Sequence, residues 1–384
     1  MFMSLKEFKK WFLPQVLISY TFLVSGLIIN VLQLITFITI RPFNKHLYKR
    51  IIYYLSYSLY SAFPCLTHWW SRTKVTYYAK DEDFKMFGKE NCFCVLNHKY
   101  DVDWNFGLVI CQQINLLGGS KVVLKDSLKY IPILGWSWAF GEYIFLKRVW
   151  DKDHKILVED MKNILDYPKD LPYSISIFCE GTRYTKEKYE ESAKIAKEKG
   201  VPVLKHHLLP RSKGFNLMAS QIKGKIDYLY DITLAIDDVE GHSPTFLDIK
   251  DGIPLDVQIF IRRIPMSLVP AEDEKKCSDF LQKLYMEKDE IFDVYHRTGS
   301  FDELGVNKHV IKLNKWDLYN SIFWLAVILI PSFYYFVSLL LNGSWLIRGV
   351  IFFIFVTVNF LTKKMMAESS SKNGSSFGLP KKLN

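Results

Sequence analysis

Long apolar segments near both ends of the chain constrain its fold more than any other feature. Residues 11–40 are 30 consecutive residues without a charged side chain, whereas a transmembrane helix needs about 20 apolar residues. Two further apolar blocks, 318–341 and 346–362, are separated by the turn sequence Asn-Gly-Ser at 342–344. We therefore expect an N-terminal membrane helix and a C-terminal transmembrane hairpin.

Basic residues beside these blocks indicate how the chain is oriented. Arg41 and Lys45 follow the first block, and Lys363 and Lys364 follow the third. Because cytosolic flanks are enriched in Lys and Arg, the middle of the chain is predicted to face the cytosol, with the N-terminus across the membrane. Three lysines before residue 11 oppose this orientation. An alternative, in which the first segment lies in one leaflet without crossing, stays open.

Composition excludes several other classes of protein. The 384 residues are 49% hydrophobic and 23% charged, which is typical of a folded chain and not of a disordered or collagen-like one. Six cysteines form no CxxC pair or finger spacing, so neither a disulfide scaffold nor a structural zinc site is expected. A net charge of +10 suits anionic lipids; we expect no metal and no nucleic acid partner.

Short strand patterns alternate with helical patterns in the middle of the chain. Strands are predicted at Cys92–Leu96, 120–124, 142–146, 174–179, Tyr228–Ile236 and 257–262, and helices at 104–117, 153–165, 184–199 and 278–295. This alternation predicts an α/β fold with a mixed, largely parallel sheet flanked by helices. The expected organisation is a membrane segment (1–40), an interfacial helical linker (41–80), an α/β domain (81–310), a transmembrane hairpin (311–365) and a disordered tail (366–384).

The first candidate site follows the predicted strand Cys92–Leu96. His98 is the side chain best suited to take a proton near neutral pH, and a carboxylate such as Asp103 would fix its tautomer. Residues five apart do not share a helix face, so the two meet only if the chain bends between strand and helix. A single His near an Asp is more often structural, so the pair gains weight only from the other motifs.

Further strand ends carry residues suited to a phosphate. Gly181 allows a tight turn after Glu180, and Thr182 and Arg183 follow, with a guanidinium fork that matches phosphate oxygens. Two more cations, Lys125 and Arg148, lie at predicted strand ends, where α/β proteins bind ligands. For these two cations, a solvated surface position is equally compatible with the sequence. Arg263 and Pro265 belong to a fourth stretch that a plain edge strand would also explain.

Missing motifs narrow the chemistry. The chain has no GxSxG elbow, no P-loop, no GxGxxG and no HExxH. Serine-hydrolase, nucleotide-hydrolase and zinc-protease functions therefore lose most of their support.

Four motifs in order resemble those of the glycerolipid acyltransferases. They are Asn97-His98 with Asp103, Phe145 with Arg148, the Glu-Gly-Thr-Arg at 180–183, and Arg263-Ile264-Pro265 with Pro270. Over roughly residues 20–365 the chain is most similar to the gamma/delta/epsilon subgroup of 1-acylglycerol-3-phosphate acyltransferases. Stretches such as 204–215 (LKHHLLPRSKGF) and 295–299 (YHRTG) carry that closer likeness.

The resemblance implies transfer of a fatty acyl group from acyl-CoA, as co-substrate without a cofactor or metal, to the sn-2 hydroxyl of lysophosphatidate. In that family His98 would be the general base and Asp103 would orient it. The residues implied to bind substrate are Glu180, Gly181, Thr182, Arg183, Arg148, Lys125, Arg263 and Pro265. The C-terminal Lys381-Lys382 resembles a dilysine retrieval signal, which implies the endoplasmic-reticulum membrane, with several passes and a cytosolic catalytic domain.

Three alternatives stay open at this point. The acceptor could be another lysophospholipid, such as lysocardiolipin or lysophosphatidylinositol. The same base could activate water, which would make a thioesterase. The chain could also be a non-catalytic lipid-binding membrane protein. Acyl-chain preference and oligomeric state are not readable from the residues.

Overall fold

A computed structural model describes residues 4–346 and, beyond them, 348–350, 352–353, 356–357, 360–361 and 364. Its strands are β1 (Lys74–Ala79), β2 (Cys92–Leu96), β3 (Ser120–Lys125), β4 (Ile144–Leu146), β5 (Ser174–Ile177), β6 (Tyr228–Ile236), β7 (Asp256–Pro265) and β8 (Asn307–His309). Its main helices are α1 (Leu5–Lys10), α2 (Phe12–Thr39), α3 (Lys45–Tyr60), α4 (Ala62–Cys65), α5 (Asp81–Met86), α6 (Asp103–Gln113), α7 (Leu134–Phe140), α8 (Trp150–Leu165), α9 (Lys186–Glu198), α10 (Ser212–Ile222), α11 (Phe246–Lys250), α12 (Glu274–Thr298) and α13 (Trp316–Asn342).

The strands form one sheet in the order β4-β3-β5-β2-β6-β7-β1-β8. The first five strands in this order are parallel to their neighbours, β6 and β7 are antiparallel, and β1 is parallel to β7 but antiparallel to β8. The predicted α/β fold with a mixed, largely parallel sheet is confirmed. Because five neighbouring strands share one direction, their carboxyl ends meet at one edge, where α/β proteins bind ligands.

Apolar layers cover both faces of the sheet. In β2, Phe93 and Val95 pack on one face, against residues of α8, α10 and α12, whereas Cys94 and Leu96 pack on the other face, against α6. This is the alternation expected when both faces of a strand are buried. The sheet is therefore a rigid middle layer that positions the loops at its edges.

The sequence places most of these elements correctly. The bounds of β2 and β6 are as predicted, and β3, β4, β5, α8, α9 and α12 lie within a few residues of their predicted positions. The expected helical linker 41–80 is wrong at its end, because β1 is hydrogen-bonded to β7 and so belongs to the sheet. The strand β1 has the same aromatic and polar composition as the helices before it. The sequence therefore shows no change in composition where the strand begins.

The two apolar helices α2 and α13 are long and apolar enough to cross a membrane. They differ in how they contact the α/β domain: α2 packs against it with its polar residues, such as Asn30 and Gln33. Beyond its first turns, α13 is largely exposed, with apolar side chains such as Ile330 and Phe333 on its surface. Seven of the 17 residues of the predicted second hairpin segment (346–362), together with Lys363 and the tail 366–384, lie outside the described residues.

The first turn of α13 is attached to the domain by a buried carboxylate. Asp317 accepts hydrogen bonds from His68 Nδ1 (3.2 Å), from Trp69 Nε1 (3.1 Å) and from the backbone N–H of Leu318 (2.8 Å). His68 and Trp69 lie on a π-helical turn, Leu66–Trp70, directly before β1. A carboxylate with three donors is well satisfied despite its burial, so Asp317 fixes where α13 leaves the domain.

Asp317→Ala is therefore expected to lower the stability of the protein in detergent by roughly 2–5 kcal/mol. It leaves the donors of buried His68 and partly buried Trp69 without their acceptor, and a buried donor without a partner costs about 1–3 kcal/mol. Thermal unfolding followed by tryptophan fluorescence measures the change. The control is Asp256→Ala, which removes the exposed Lys74–Asp256 ion pair and should cost at most about 1 kcal/mol. Equal unfolding temperatures for the two variants would contradict this attachment.

Candidate active site

His98 and Asp103 meet at the carboxyl end of β2. The chain leaves β2 at Leu96, turns through residues 97–102, and begins α6 at Asp103. His98 Nδ1 lies 3.1 Å from Asp103 Oδ2, and the backbone N–H of Tyr100 donates to the same oxygen at 2.9 Å. Because the chain bends here, His98 and Asp103 can meet, which they could not do on one continuous helix.

The two side chains of this pair differ in how deeply they are buried. Asp103 is 1% exposed, and desolvation raises the pKa of its carboxyl group, although His98 and the Tyr100 N–H act in the opposite direction. The His98 side chain is 29% exposed and its ring packs on Phe178, with centroids 4.6 Å apart. With Nδ1–H donated to Asp103, Nε2 keeps a lone pair that can accept a proton. The arrangement is that of a general base with its orienting carboxylate.

Asn97 fixes the end of β2 through two hydrogen bonds to β6. Its side chain donates to the carbonyl of Leu234 (2.9 Å) and accepts from the N–H of Leu234 (2.8 Å). Both bonds tie the residue before His98 to β6, where the backbone groups would otherwise lack a strand partner. The position of His98 is thus set from its N-terminal side.

Glu180 holds His98 from the other side. Its Oε1 accepts from the backbone N–H of His98 (2.8 Å) and its Oε2 from that of Leu208 (3.2 Å). The carbonyl of His98 accepts from the N–H of Tyr184 (2.8 Å). Glu180 is 2% exposed, so this carboxylate joins three loops at the sheet edge.

The Glu-Gly-Thr-Arg turn presents its remaining residues beside this pair. Gly181 has φ = 70°, which a side chain rarely adopts, and an added Cβ would lie 3.0 Å from Cδ of Arg211. Thr182 is buried, and Arg183 forms an ion pair with Asp101, in the turn that contains His98. The guanidinium of Arg183 is thereby held close to the His98 turn.

Three cations cluster next to Gly181. Burial and the charge of Arg211 lower the pKa of Arg148. Burial lowers the pKa of Lys188, Glu191 acts in the opposite direction, and Arg211 and Arg148 lower it further. Like charges that interact strongly enough to shift each other's pKa lie close together. Among the residues that the structure describes, Arg148, Arg211 and Lys188 therefore form one basic group, which we call the cation cluster.

The sequence motifs identify only part of this cluster. Arg148 was predicted, whereas Arg211 appears only within a stretch of family likeness and Lys188 only as one of many charges on a helix. The spacing of Lys188 on α9 carries no signal, because charge on an amphipathic helix is ordinarily solvated. Lys125 lies at the carboxyl end of β3, on the same sheet edge as His98.

The structure does not bring Arg263 and Pro265 to this edge. Ile264 of β7 faces Leu229 of β6, which faces Phe93 near the start of β2. His98 is five residues further along, about 17 Å at the rise of a strand. Arg263 forms a two-pronged ion pair with Glu90 (2.6 and 2.8 Å) and lies over the ring of Tyr228. Their predicted contact with substrate stays a prediction.

Cys179, which lies directly before Glu180, is not an activated nucleophile. It is 2% exposed, and burial raises the pKa of its thiol far above the ordinary value. A reactive cysteine needs a lowered pKa and access to substrate, and Cys179 has neither.

Comparison with known proteins agrees with this geometry. Residues 74–237 match the model of the acyltransferase family, and residues 249–324 match that of the acyltransferase C-terminus. The chain is 38% identical over 370 residues, 96% of both chains, to 1-acyl-sn-glycerol-3-phosphate acyltransferase delta from Homo sapiens and, at the same identity, from Mus musculus. The human gamma enzyme is 34% identical over 371 residues, again 96% of both chains.

Together, the fold and these comparisons identify the chain as an acyltransferase. With this identity over nearly its whole length, the chain belongs to the 1-acylglycerol-3-phosphate acyltransferase family. The family resemblance inferred from four short motifs is confirmed.

The substitution Asp103→Asn tests whether Asp103 contributes to catalysis or to the stability of the fold. The amide oxygen can replace Oδ2, while the other carboxylate oxygen, Oδ1, has no hydrogen-bond partner among the described residues. Because the buried charge disappears, the unfolding temperature should stay the same or rise. Acyl transfer should fall about 10²–10⁴-fold, since an amide cannot stabilise the imidazolium.

Initial rates and thermal unfolding in the same detergent measure both effects. A variant that keeps its activity would show that Asp103 has no part in catalysis. A variant that loses activity together with its fold would show that Asp103 is structural.

Proposed function

We propose that this protein transfers a fatty acyl group from acyl-CoA to the sn-2 hydroxyl of lysophosphatidate and releases phosphatidate and CoA. The observation that carries the proposal is the His98–Asp103 pair, held at the same sheet edge as the cation cluster. The names of the relatives given above describe them as acyltransferases of 1-acyl-sn-glycerol 3-phosphate. The proposal requires neither a metal nor another cofactor.

His98 is the general base in this proposal. Its Nε2 takes the proton of the sn-2 hydroxyl as the oxygen attacks the thioester carbonyl of acyl-CoA. The carbon–sulfur bond then breaks, and the imidazolium returns the proton to the leaving thiolate. Asp103 stabilises the positive charge on the ring while the proton is held there. Because Cys179 is buried, direct transfer between the two substrates is favoured over an acyl-enzyme.

The phosphate of lysophosphatidate is proposed to bind at the cation cluster beside the turn at Gly181. Arginine forks bind phosphate through paired hydrogen bonds, and the absence of a side chain at Gly181 lets Arg211 approach the backbone closely. Arg183 is oriented by Asp101, and Lys125 adds a cation at the same edge. Glu180 supports the site by holding the backbone of His98 and Leu208.

An apolar cavity of about 490 Å³ provides room for a fatty acyl chain. Its lining comes from α2, α3, α4 and α13 and includes Phe22, Trp69 and Trp104. Asp101, which pairs with Arg183, also lines it. The cavity thus reaches from α2 and α13 to Asp101, in the turn that contains His98, which suits an amphiphilic substrate.

The contacts of α2 favour the arrangement in which it lies along the domain within one leaflet. Near its start, Gln15 donates to the carbonyl of Lys250 (2.9 Å), and near its end Gln33 donates to Ser137 (2.9 Å). A helix of 28 residues is about 42 Å long, and one that contacts the same domain at both ends runs parallel to its surface. We propose that α13 crosses the membrane, that the domain faces the cytosol, and that the membrane is that of the endoplasmic reticulum.

The test is acyl transfer from labelled acyl-CoA by the purified protein, with His98→Ala beside it. The acceptors are lysophosphatidate, lysophosphatidylinositol, lysocardiolipin and water alone. We expect lysophosphatidate to be acylated fastest and His98→Ala to lower the rate about 10²–10⁴-fold. The matched control is His46→Ala, since His46 also contacts an aspartate, Asp166 (3.2 Å), but is exposed on α3; its rate should be unchanged.

Each other result overturns a defined part of the proposal. Faster acylation of another lysophospholipid would reassign the acceptor. Hydrolysis that is independent of any acceptor would indicate a thioesterase. Equal rates for His98→Ala and the unmodified protein would remove the catalytic role of His98, and no turnover at all would favour a lipid-binding protein.

A further inference from the structure

Asp153, in the first turn of α8, makes an unusual pair of contacts with the loop that carries Arg148. Its Oδ1 accepts from the backbone N–H of Lys147 (2.7 Å) and its Oδ2 from that of Val149 (2.9 Å). The side chain is almost fully buried, with 4% exposure. One carboxylate therefore fixes the peptide groups on both sides of Arg148.

The backbone between these two bonds is strained. Arg148 has φ = 64°, in the left-handed region that residues with a side chain rarely occupy. Such a conformation is strained and persists only where its surroundings enforce it. Charge-assisted hydrogen bonds to backbone N–H groups are strong enough to do so.

Repulsion between neighbouring cations also acts on the loop that carries Arg148. Arg148 lies within the charge field of Arg211, and both act on Lys188. Both side-chain oxygens of Asp153 accept from backbone N–H groups of this loop. Its contribution is to the direction in which the loop presents Arg148.

We propose that Asp153 is a positioning residue for the anion site: by clamping the left-handed backbone at Arg148, it keeps that guanidinium beside Arg211 and Lys188, where it binds the phosphate of the lysophospholipid acceptor. This inference rests on the function proposed above. It predicts that loss of the clamp weakens phosphate binding and leaves the base at His98 intact.

The test is a double-mutant cycle of Asp153→Asn and Arg148→Ala, with kcat and KM measured separately for lysophosphatidate and acyl-CoA. The asparagine keeps one acceptor oxygen, so the fold is retained while one N–H loses its partner. We expect Asp153→Asn to raise KM for lysophosphatidate about tenfold, with kcat within about twofold and KM for acyl-CoA unchanged. In the Arg148→Ala background the same substitution should add nothing further.

The matched control is Asp273→Asn, because Asp273 also accepts a backbone N–H at a helix start (Lys276, 3.0 Å) but lies beyond the end of β7, at the opposite sheet edge. It should leave every kinetic constant unchanged. An unchanged KM for Asp153→Asn, or a rise that multiplies with that of Arg148→Ala, would overturn the inference.

The acceptor panel distinguishes this failure from failure of the proposed function. If the unmodified protein prefers another phosphate-bearing lysophospholipid, the acceptor assignment fails, and the cycle is measured on that acceptor with the same expectation. If lysophosphatidate is preferred but the two substitutions act independently, only the role of Asp153 fails. Thermal unfolding of each variant must match that of Asp273→Asn within a few degrees; a larger drop for Asp153→Asn would make its role structural and overturn the proposal.

Discussion

The hydrogen bond between His98 and the buried carboxylate of Asp103 is the interaction on which the rest of the site depends. It exists only because the chain bends between β2 and α6, and the bend is held on both sides. Asn97 ties it to β6, and Glu180 ties it to the loop after β5. Burial of Asp103 costs free energy, since it disfavours the carboxylate. That cost is compensated by the rigid sheet, whose packed faces leave the strand ends little freedom to relax.

The cation cluster differs from the His98–Asp103 pair in that its three named side chains all carry positive charge. At the cation cluster the like charges of Arg148, Arg211 and Lys188 repel one another, and the charge of Glu191 opposes that effect at Arg211 and Lys188. The site therefore separates two tasks. In the proposed mechanism the His98–Asp103 pair serves proton transfer, and the cation cluster serves recognition of phosphate. The apolar cavity between α2 and α13 adds the third element, a place for a chain that is insoluble in water.

The sequence predicts the fold well where a pattern has a single physical cause. The strand Cys92–Leu96 is a short apolar run between polar turns, and Tyr228–Ile236 is a long one, so their bounds are clear. Three features have no such signal. The strand β1 shares its composition with the helices before it, the ion pair of Arg263 with Glu90 joins residues far apart in sequence, and Lys188 looks like any charge on a helix. Motifs locate chemistry at strand ends, but only the register of the sheet shows that Arg263 and His98 lie at opposite edges.

The central claim is direct transfer of the acyl group, with His98 as base and without an acyl-enzyme. Exchange of labelled CoA into unlabelled acyl-CoA tests it most directly, when measured in phospholipid-free detergent with no acceptor present. A mechanism without a covalent intermediate predicts no exchange above the background of His98→Ala until lysophosphatidate is added. Exchange at a rate comparable to turnover in the absence of any acceptor would demonstrate an acyl-enzyme and contradict the account.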